Sequence, residues 1–163
     1  MDNNVKNKKL SLVLFSGDYD KALAALTITN AARDIGVDVS IFCAFWGLFL
    51  VRDPERMTLE DKTAYEKMFD SVTPVGPEQL PLSKMNMAGV GKAMLQKMME
   101  DTETPTLTKF LNGAIKKGVK FYGCKMSVEV MGFKEEEFIE GFTIITAQDY
   151  MRDALNSNIQ LFI

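Results

Sequence analysis

The stretch Leu10-Ser11-Leu12-Val13-Leu14-Phe15 is a nearly continuous apolar run that breaks at Ser16-Gly17-Asp18. An apolar run without alternation suits a strand buried on both faces, the situation of a parallel sheet. The next residues narrow the choice further. Asp18 is placed to cap a helix from about Tyr19 to Ile35, with Ala22, Ala25, Leu26, Thr29, Ala32 and Ile35 at helical spacing and Gly36 to stop it. Val37 to Phe45 is then a second strand, rich in β-branched and aromatic residues. A strand, a helix and a strand joined by short connections form a right-handed βαβ unit, so the two strands run parallel.

The second half of the chain repeats the pattern. Thr104-Pro105 suits a cap with proline at the first helical position, ahead of Leu107, Phe110, Leu111, Ala114 and Ile115 at helical spacing and a stop at Gly118. Lys116 and Lys117 lie where the helix dipole favours positive charge. A strand from Val119 leads through Gly123 to Cys124 and into a short helix closed by Gly132. Lys134 to Gly141 reads as a short acidic helix that packs Phe138, Phe142 to Thr146 as a strand, Ala147 to Asn156 as a helix, and Ile159 to Ile163 as a terminal strand. The alternation predicts an α/β fold: a three-layer α/β/α sandwich on a mainly parallel five-stranded sheet, with flavodoxin-like architecture. Residues 1–163 are expected to form a single domain carrying an irregular, methionine-rich insertion at about 52–100. Within it, Leu59 to Phe69 and Lys92 to Met99 read as helices. Met85, Met87, Met94, Met98 and Met99 suit either core packing or an adaptable cover over a site or partner surface.

Composition removes several functions. The net charge of −3, with no basic cluster, gives no electrostatic case for nucleic acid. Two cysteines and no histidine argue against a disulfide framework and a zinc site, so no metal is expected. The lack of histidine also removes every Ser-His and Cys-His nucleophile pair. The start, Met1 to Lys9, is polar and unlike a secretory signal. Val37 to Val51 is too short and interrupted for a transmembrane segment.

Three places could carry chemistry. Cys124 stands at a strand-to-helix junction, where backbone N–H groups and the positive end of the helix dipole favour the reactive thiolate. Lys125 adds positive charge, partly opposed by Glu129 one turn on. The other reading of Cys124 is a small buried hydrophobe. Ser16-Gly17-Asp18 lies at the carboxyl end of the first strand, where open α/β sheets bind ligands, though its local chemistry is first that of a tight turn with a helix cap. It has neither G-x-G-x-x-G nor G-K-[ST]. Trp46 and Phe49 suit a pocket cover, a subunit contact or plain core.

Phe15-Ser16-Gly17-Asp18 leading into Lys21-Ala22-Leu23-Ala24, Phe45-Trp46-Gly47-Leu48, and Gly123-Cys124-Lys125-Met126-Ser127 with Val130-Met131-Gly132 together resemble the DsrE/DsrF-like superfamily. The likeness is to its stand-alone or rhodanese-fused sulfur-relay proteins, and it spans nearly the whole chain. The resemblance implies a DsrE-like fold, no cofactor, and a cytoplasmic sulfurtransferase or sulfur carrier that holds sulfane sulfur as a persulfide on Cys124. It also implies sulfur-donor and sulfur-acceptor partners of rhodanese-like or TusA-like type and a homo-oligomer, trimeric or hexameric. By position it sets Ser16, Gly17, Asp18, Trp46, Gly47, Lys125, Met126 and Ser127 around that cysteine as a substrate-binding shell. Cys43 has no counterpart in the pattern. Competing with this function are a non-catalytic oligomeric binding or scaffold module and a peroxiredoxin-like thiol redox protein. The latter lacks a C-x-x-C pair and needs the fold to bring Cys43 to Cys124.

Overall fold

The computed structural model describes residues 7–163. Most of the polar start, Met1 to Lys6, therefore lies outside the described residues. Five parallel strands form one sheet in the order β4-β3-β2-β1-β5: β1 (Lys9–Leu14), β2 (Asp38–Cys43), β3 (Lys120–Cys124), β4 (Thr143–Ile145) and β5 (Ile159–Phe162). The helices are α1 (Tyr19–Asp34), α2 (Ala64–Val72), α3 (Val90–Asp101), α4 (Leu107–Lys116), α5 (Lys125–Met131) and α6 (Ala147–Leu155). Successive crossovers through α1, α4 and α5 advance one way across the sheet, and the crossover through α6 returns the other way. Right-handed connections therefore put α6 on the opposite face, which completes the α/β/α sandwich.

The strand pleat sorts side chains between the layers. Leu10, Leu12 and Leu14 of β1 and Val39, Ile41 and Cys43 of β2 are buried together in the main core. The alternate residues meet α6, where Phe42 stacks on Tyr150 with ring centroids 4.5 Å apart. Beside that stack, Asp153 accepts a 2.7 Å hydrogen bond from the Ser40 hydroxyl and pairs with Lys9. On the core side, Asn30 joins α1 to α4 by donating to the Phe110 carbonyl at 3.0 Å.

Several elements differ locally from the sequence expectation. Asp18 occupies the cap position of α1 but makes no side-chain cap bond, because its carboxylate pairs with Lys21 at 2.8 Å. The cap of α4 is Thr106, whose hydroxyl accepts from the Lys109 N–H at 3.3 Å, while the Thr104 hydroxyl is engaged with Thr102. The helix expected over Leu59 to Phe69 begins only at Ala64, since Thr63 and Glu66 form a reciprocal capping box and Asp61 turns the chain at φ 53°. Lys134 to Gly141 contracts to a single 3-10 turn over Glu135–Glu137, because Phe138 leaves it to pair with Arg52 in an antiparallel bridge. Trp46 to Val51 is a 3-10 helix, Phe45–Val51.

The irregular 52–100 stretch is tied down by charge as well as apolar contact. Arg52, Lys62 and Glu137 are buried and the Asp70 side chain is 5 % exposed: Arg52 pairs with Asp70, and Lys62 pairs with both carboxylates. The Arg52 guanidinium lies over the Phe133 ring, 4.1 Å from its centroid. Two cations matched to two anions leave the cluster neutral, the condition under which buried charge is tolerated. Nothing in the sequence pattern announces this cluster, as its members are spread from position 52 to 137.

Candidate functional site

The carboxyl ends of β1, β2 and β3 lie side by side, and each leads into one of the three family motifs. Past β2, Phe45 adopts φ 47°, a left-handed conformation uncommon for a bulky residue. That turn folds the 3-10 helix back over β1. Gly47 donates to the Phe15 carbonyl at 2.9 Å, and a Cβ on Gly47 would sit 2.0 Å from the Leu14 carbonyl oxygen. Gly17 is equally close-fitted: its Cβ would meet the Trp46 carbonyl oxygen at 2.9 Å and Phe49 at 3.1 Å. Glycine at 17 and 47 lets the loop after β1 and the 3-10 helix approach backbone to backbone.

This contact shapes two depressions that share Trp46. A shallow one of about 370 Å³ is lined by Ser16, Gly17, Asp18, Lys21 and Trp46 with Phe15, Phe49, Pro74 and Pro81. The other is an apolar groove of about 630 Å³ between the 3-10 helix, α2 and α5, lined by Phe45, Trp46, Tyr65, Met68, Phe69, Val72, Val130 and Met131, with Glu66 as its one acidic group. Cys124, Lys125, Met126 and Ser127 line neither. The structure thus brings Ser16, Gly17 and Asp18 together with Trp46 and Gly47. Cys124 stands on the same sheet edge two strands from β1, roughly 10 Å across.

Cys124 ends β3 and is the cap residue of α5, with Ile145 of β4 as its register partner. It is 6 % exposed. α5 closes at Gly132, which takes φ 69°, while the Phe133 N–H returns to the Val128 carbonyl at 3.0 Å. Lys125 and Met126 are exposed. The Lys125 ammonium lies 3.8 Å from the Glu129 carboxylate, the opposing pair read from the sequence. Ser127 is fully buried, and among the described residues its hydroxyl has no hydrogen-bond partner.

The two cysteines are neighbours in the sheet but face apart. Cys43 is the register partner of Gly123, so Cys124, one residue on, projects from the other face. Side chains directed to opposite faces cannot be bridged without moving backbone. Cys43 is completely buried in the core, and burial pushes its thiol up to about 12. Among the described residues no group of three or more Cys, Asp or Glu side chains is arranged to hold a metal ion. Nor is any described helix long and apolar enough to cross a membrane.

The all-parallel five-stranded α/β/α sandwich sets the fold class, and the chain belongs to the DsrE/DsrF/DrsH-like family, which it matches over residues 6–162. Among individual relatives, it is 37 % identical over 158 residues to the Bacillus subtilis protein YrkE, itself uncharacterized, covering 97 % of this chain and 98 % of that one. It is 24 % identical over 172 residues to the sulfur carrier protein DsrE2 of Allochromatium vinosum, covering 98 % and 100 %. The crystal structure of the ychN protein from E. coli shares the fold with a TM-score of 0.57 at 12 % identity, covering 96 % of this chain and 99 % of that one.

Proposed function

We propose that this chain is a sulfur-relay protein that carries sulfane sulfur as a persulfide on Cys124. The carrying observation is the likeness, over nearly the full length of both chains, to a protein named a sulfur carrier. The strand register supports Cys124 over Cys43 as the carrier, since Cys43 is enclosed in the core with its thiol held neutral. In the loading step the Cys124 thiolate attacks the outer sulfur of a donor persulfide, R–S–SH. A new S–S bond forms on Cys124, the donor's S–S bond breaks, and the donor departs as its thiolate. An acceptor thiolate removes the sulfur by the same displacement, and no net oxidation occurs. Neither step needs an imidazole. The donor and acceptor are sulfur-relay proteins of rhodanese-like or TusA-like type. The setting is the cytoplasm, where thiols stay reduced.

The same reading makes the protein a homo-oligomer, trimeric or hexameric. Trp46, Tyr65, Met68, Val72 and Val130, all exposed, cluster around one groove, and Met94 and Met98 are exposed on α3. One observation favours the second reading, a binding module without sulfur chemistry: Cys124 is 6 % exposed. Mass spectrometry after treatment with polysulfide separates the two. The carrier gains one-sulfur increments on Cys124, and Cys124→Ser gains none. Uptake that persists in Cys124→Ser, or no uptake by either protein, leaves the binding module as the account.

A further inference from the structure

Ser127 is three residues beyond the cap residue Cys124, at the third position of α5. That position turns its side chain back toward the cap, and two of the other α-helices show the geometry. At α2 the Glu66 carboxylate accepts from the Thr63 N–H at 2.6 Å, and at α6 the Asp149 carboxylate accepts from the Thr146 N–H at 3.4 Å. At α5 the corresponding group is a hydroxyl, enclosed completely and without a partner among the described residues. Leaving a buried hydroxyl unpaired is costly, so an orphan of this kind one turn from a chemically active sulfur calls for a ligand. The Ser11 and Thr29 hydroxyls are also buried and unpaired, but they lie within β1 and α1, with no cysteine in those elements.

A persulfide lengthens the Cys124 side chain by one S–S bond, about 2.05 Å, and ends in a sulfur that is anionic once ionised. We propose that the Ser127 hydroxyl donates a hydrogen bond to this terminal sulfur and holds it in place between loading and transfer. The inference rests on the carrier reading of Cys124. It gives Ser127 a task that appears only in the loaded state: the sulfur-free protein leaves the hydroxyl idle, and the loaded protein satisfies it.

The test is the equilibrium exchange of one sulfur between Cys124 and glutathione. In that exchange Cys124 thiolate and glutathione persulfide give Cys124 persulfide and glutathione thiolate. A hydrogen bond to a charged sulfur is worth roughly a tenfold change in that equilibrium. Ser127→Ala is therefore expected to bind sulfur about tenfold less favourably than the natural protein, with Ser127→Thr restoring most of the loss. Thermal unfolding of the sulfur-free Ser127→Ala protein should be unchanged or slightly higher, since no hydrogen bond is lost there. Equal exchange constants for the natural protein and Ser127→Ala overturn the role of Ser127 and leave the carrier reading standing. A weakened exchange accompanied by a lowered unfolding temperature in the sulfur-free state assigns Ser127 to packing and also overturns it. If the natural protein takes up no sulfur on Cys124, the carrier reading fails and this inference fails with it.

Discussion

Glu137→Gln probes the charge cluster that fastens the 52–100 stretch. The substitution keeps the shape of the side chain and removes one negative charge from a group of two cations and two anions that are all buried. Asp70 already pairs with both Arg52 and Lys62, so removing the Glu137 charge leaves two buried cations against one carboxylate and one positive charge uncompensated. Breaking a buried pair from one side costs about 3–5 kcal/mol, because the remaining charge cannot recover its hydration. For a chain of this length each kcal/mol lowers Tm by about 2–4 °C, which predicts a fall of about 6–20 °C. Glu100→Gln is the control: its pairing with Lys97, at 3.0 Å, is exposed on both sides and should be worth less than about 1 kcal/mol. Urea unfolding with a common slope, followed by calorimetry, measures both. A loss below about 1 kcal/mol in Glu137→Gln would show that the cluster is hydrated like a surface pair, and the reasoning from burial would fail.

Gly47→Ala sets a Cβ 2.0 Å from the Leu14 carbonyl oxygen, a contact that only main-chain movement can relieve. It is expected to cost about 3 kcal/mol in urea unfolding, the upper end for overpacking, and a loss under about 1 kcal/mol would contradict the close approach. The Cys43 thiol, raised from 9.0 to about 12 by burial, binds its proton more tightly in the folded than in the unfolded chain. Its contribution to stability is therefore complete below pH 9.0 and declines as pH rises from there toward 12, so Cys43→Ala should flatten that alkaline decline in unfolding measured against pH. In the native protein, iodoacetamide followed by peptide mapping should modify Cys124 well before Cys43, and equal rates would contradict the register. Light scattering at micromolar concentration should report an oligomer, reduced by Met68→Lys with Val72→Lys if the apolar groove forms the contact.

The parallel sheet was readable because its strands are short apolar runs separated by helices with clear glycine stops, a pattern with few alternatives. Leu10 to Phe15 declares a buried strand, and Gly36, Gly118 and Gly132 end their helices where expected. The family motifs located Cys124 and the turn after β1. Helix starts were harder: the sequence pointed to Thr104 as the cap of α4, whereas Thr106 holds that place and the Thr104 hydroxyl is engaged with Thr102. The buried cluster of Arg52, Lys62, Asp70 and Glu137 was not readable at all. Its residues are of types normally exposed, and only the folded chain brings position 137 to position 62. The unpaired Ser127 hydroxyl was hidden for a related reason, since a serine in a short helix gives no sign of whether water reaches it.

The opposed directions of Cys43 and Cys124 set a limit on the bookkeeping of thiols in this chain. A cysteine with a reachable neighbour can expel whatever it carries by closing an internal disulfide, and the protein then needs a reductant to start again. Here the only other cysteine is sealed behind the sheet. On the carrier reading, sulfur on Cys124 cannot be expelled by Cys43, so it leaves only by reaction with another molecule. A chain wired in this way cannot discharge itself.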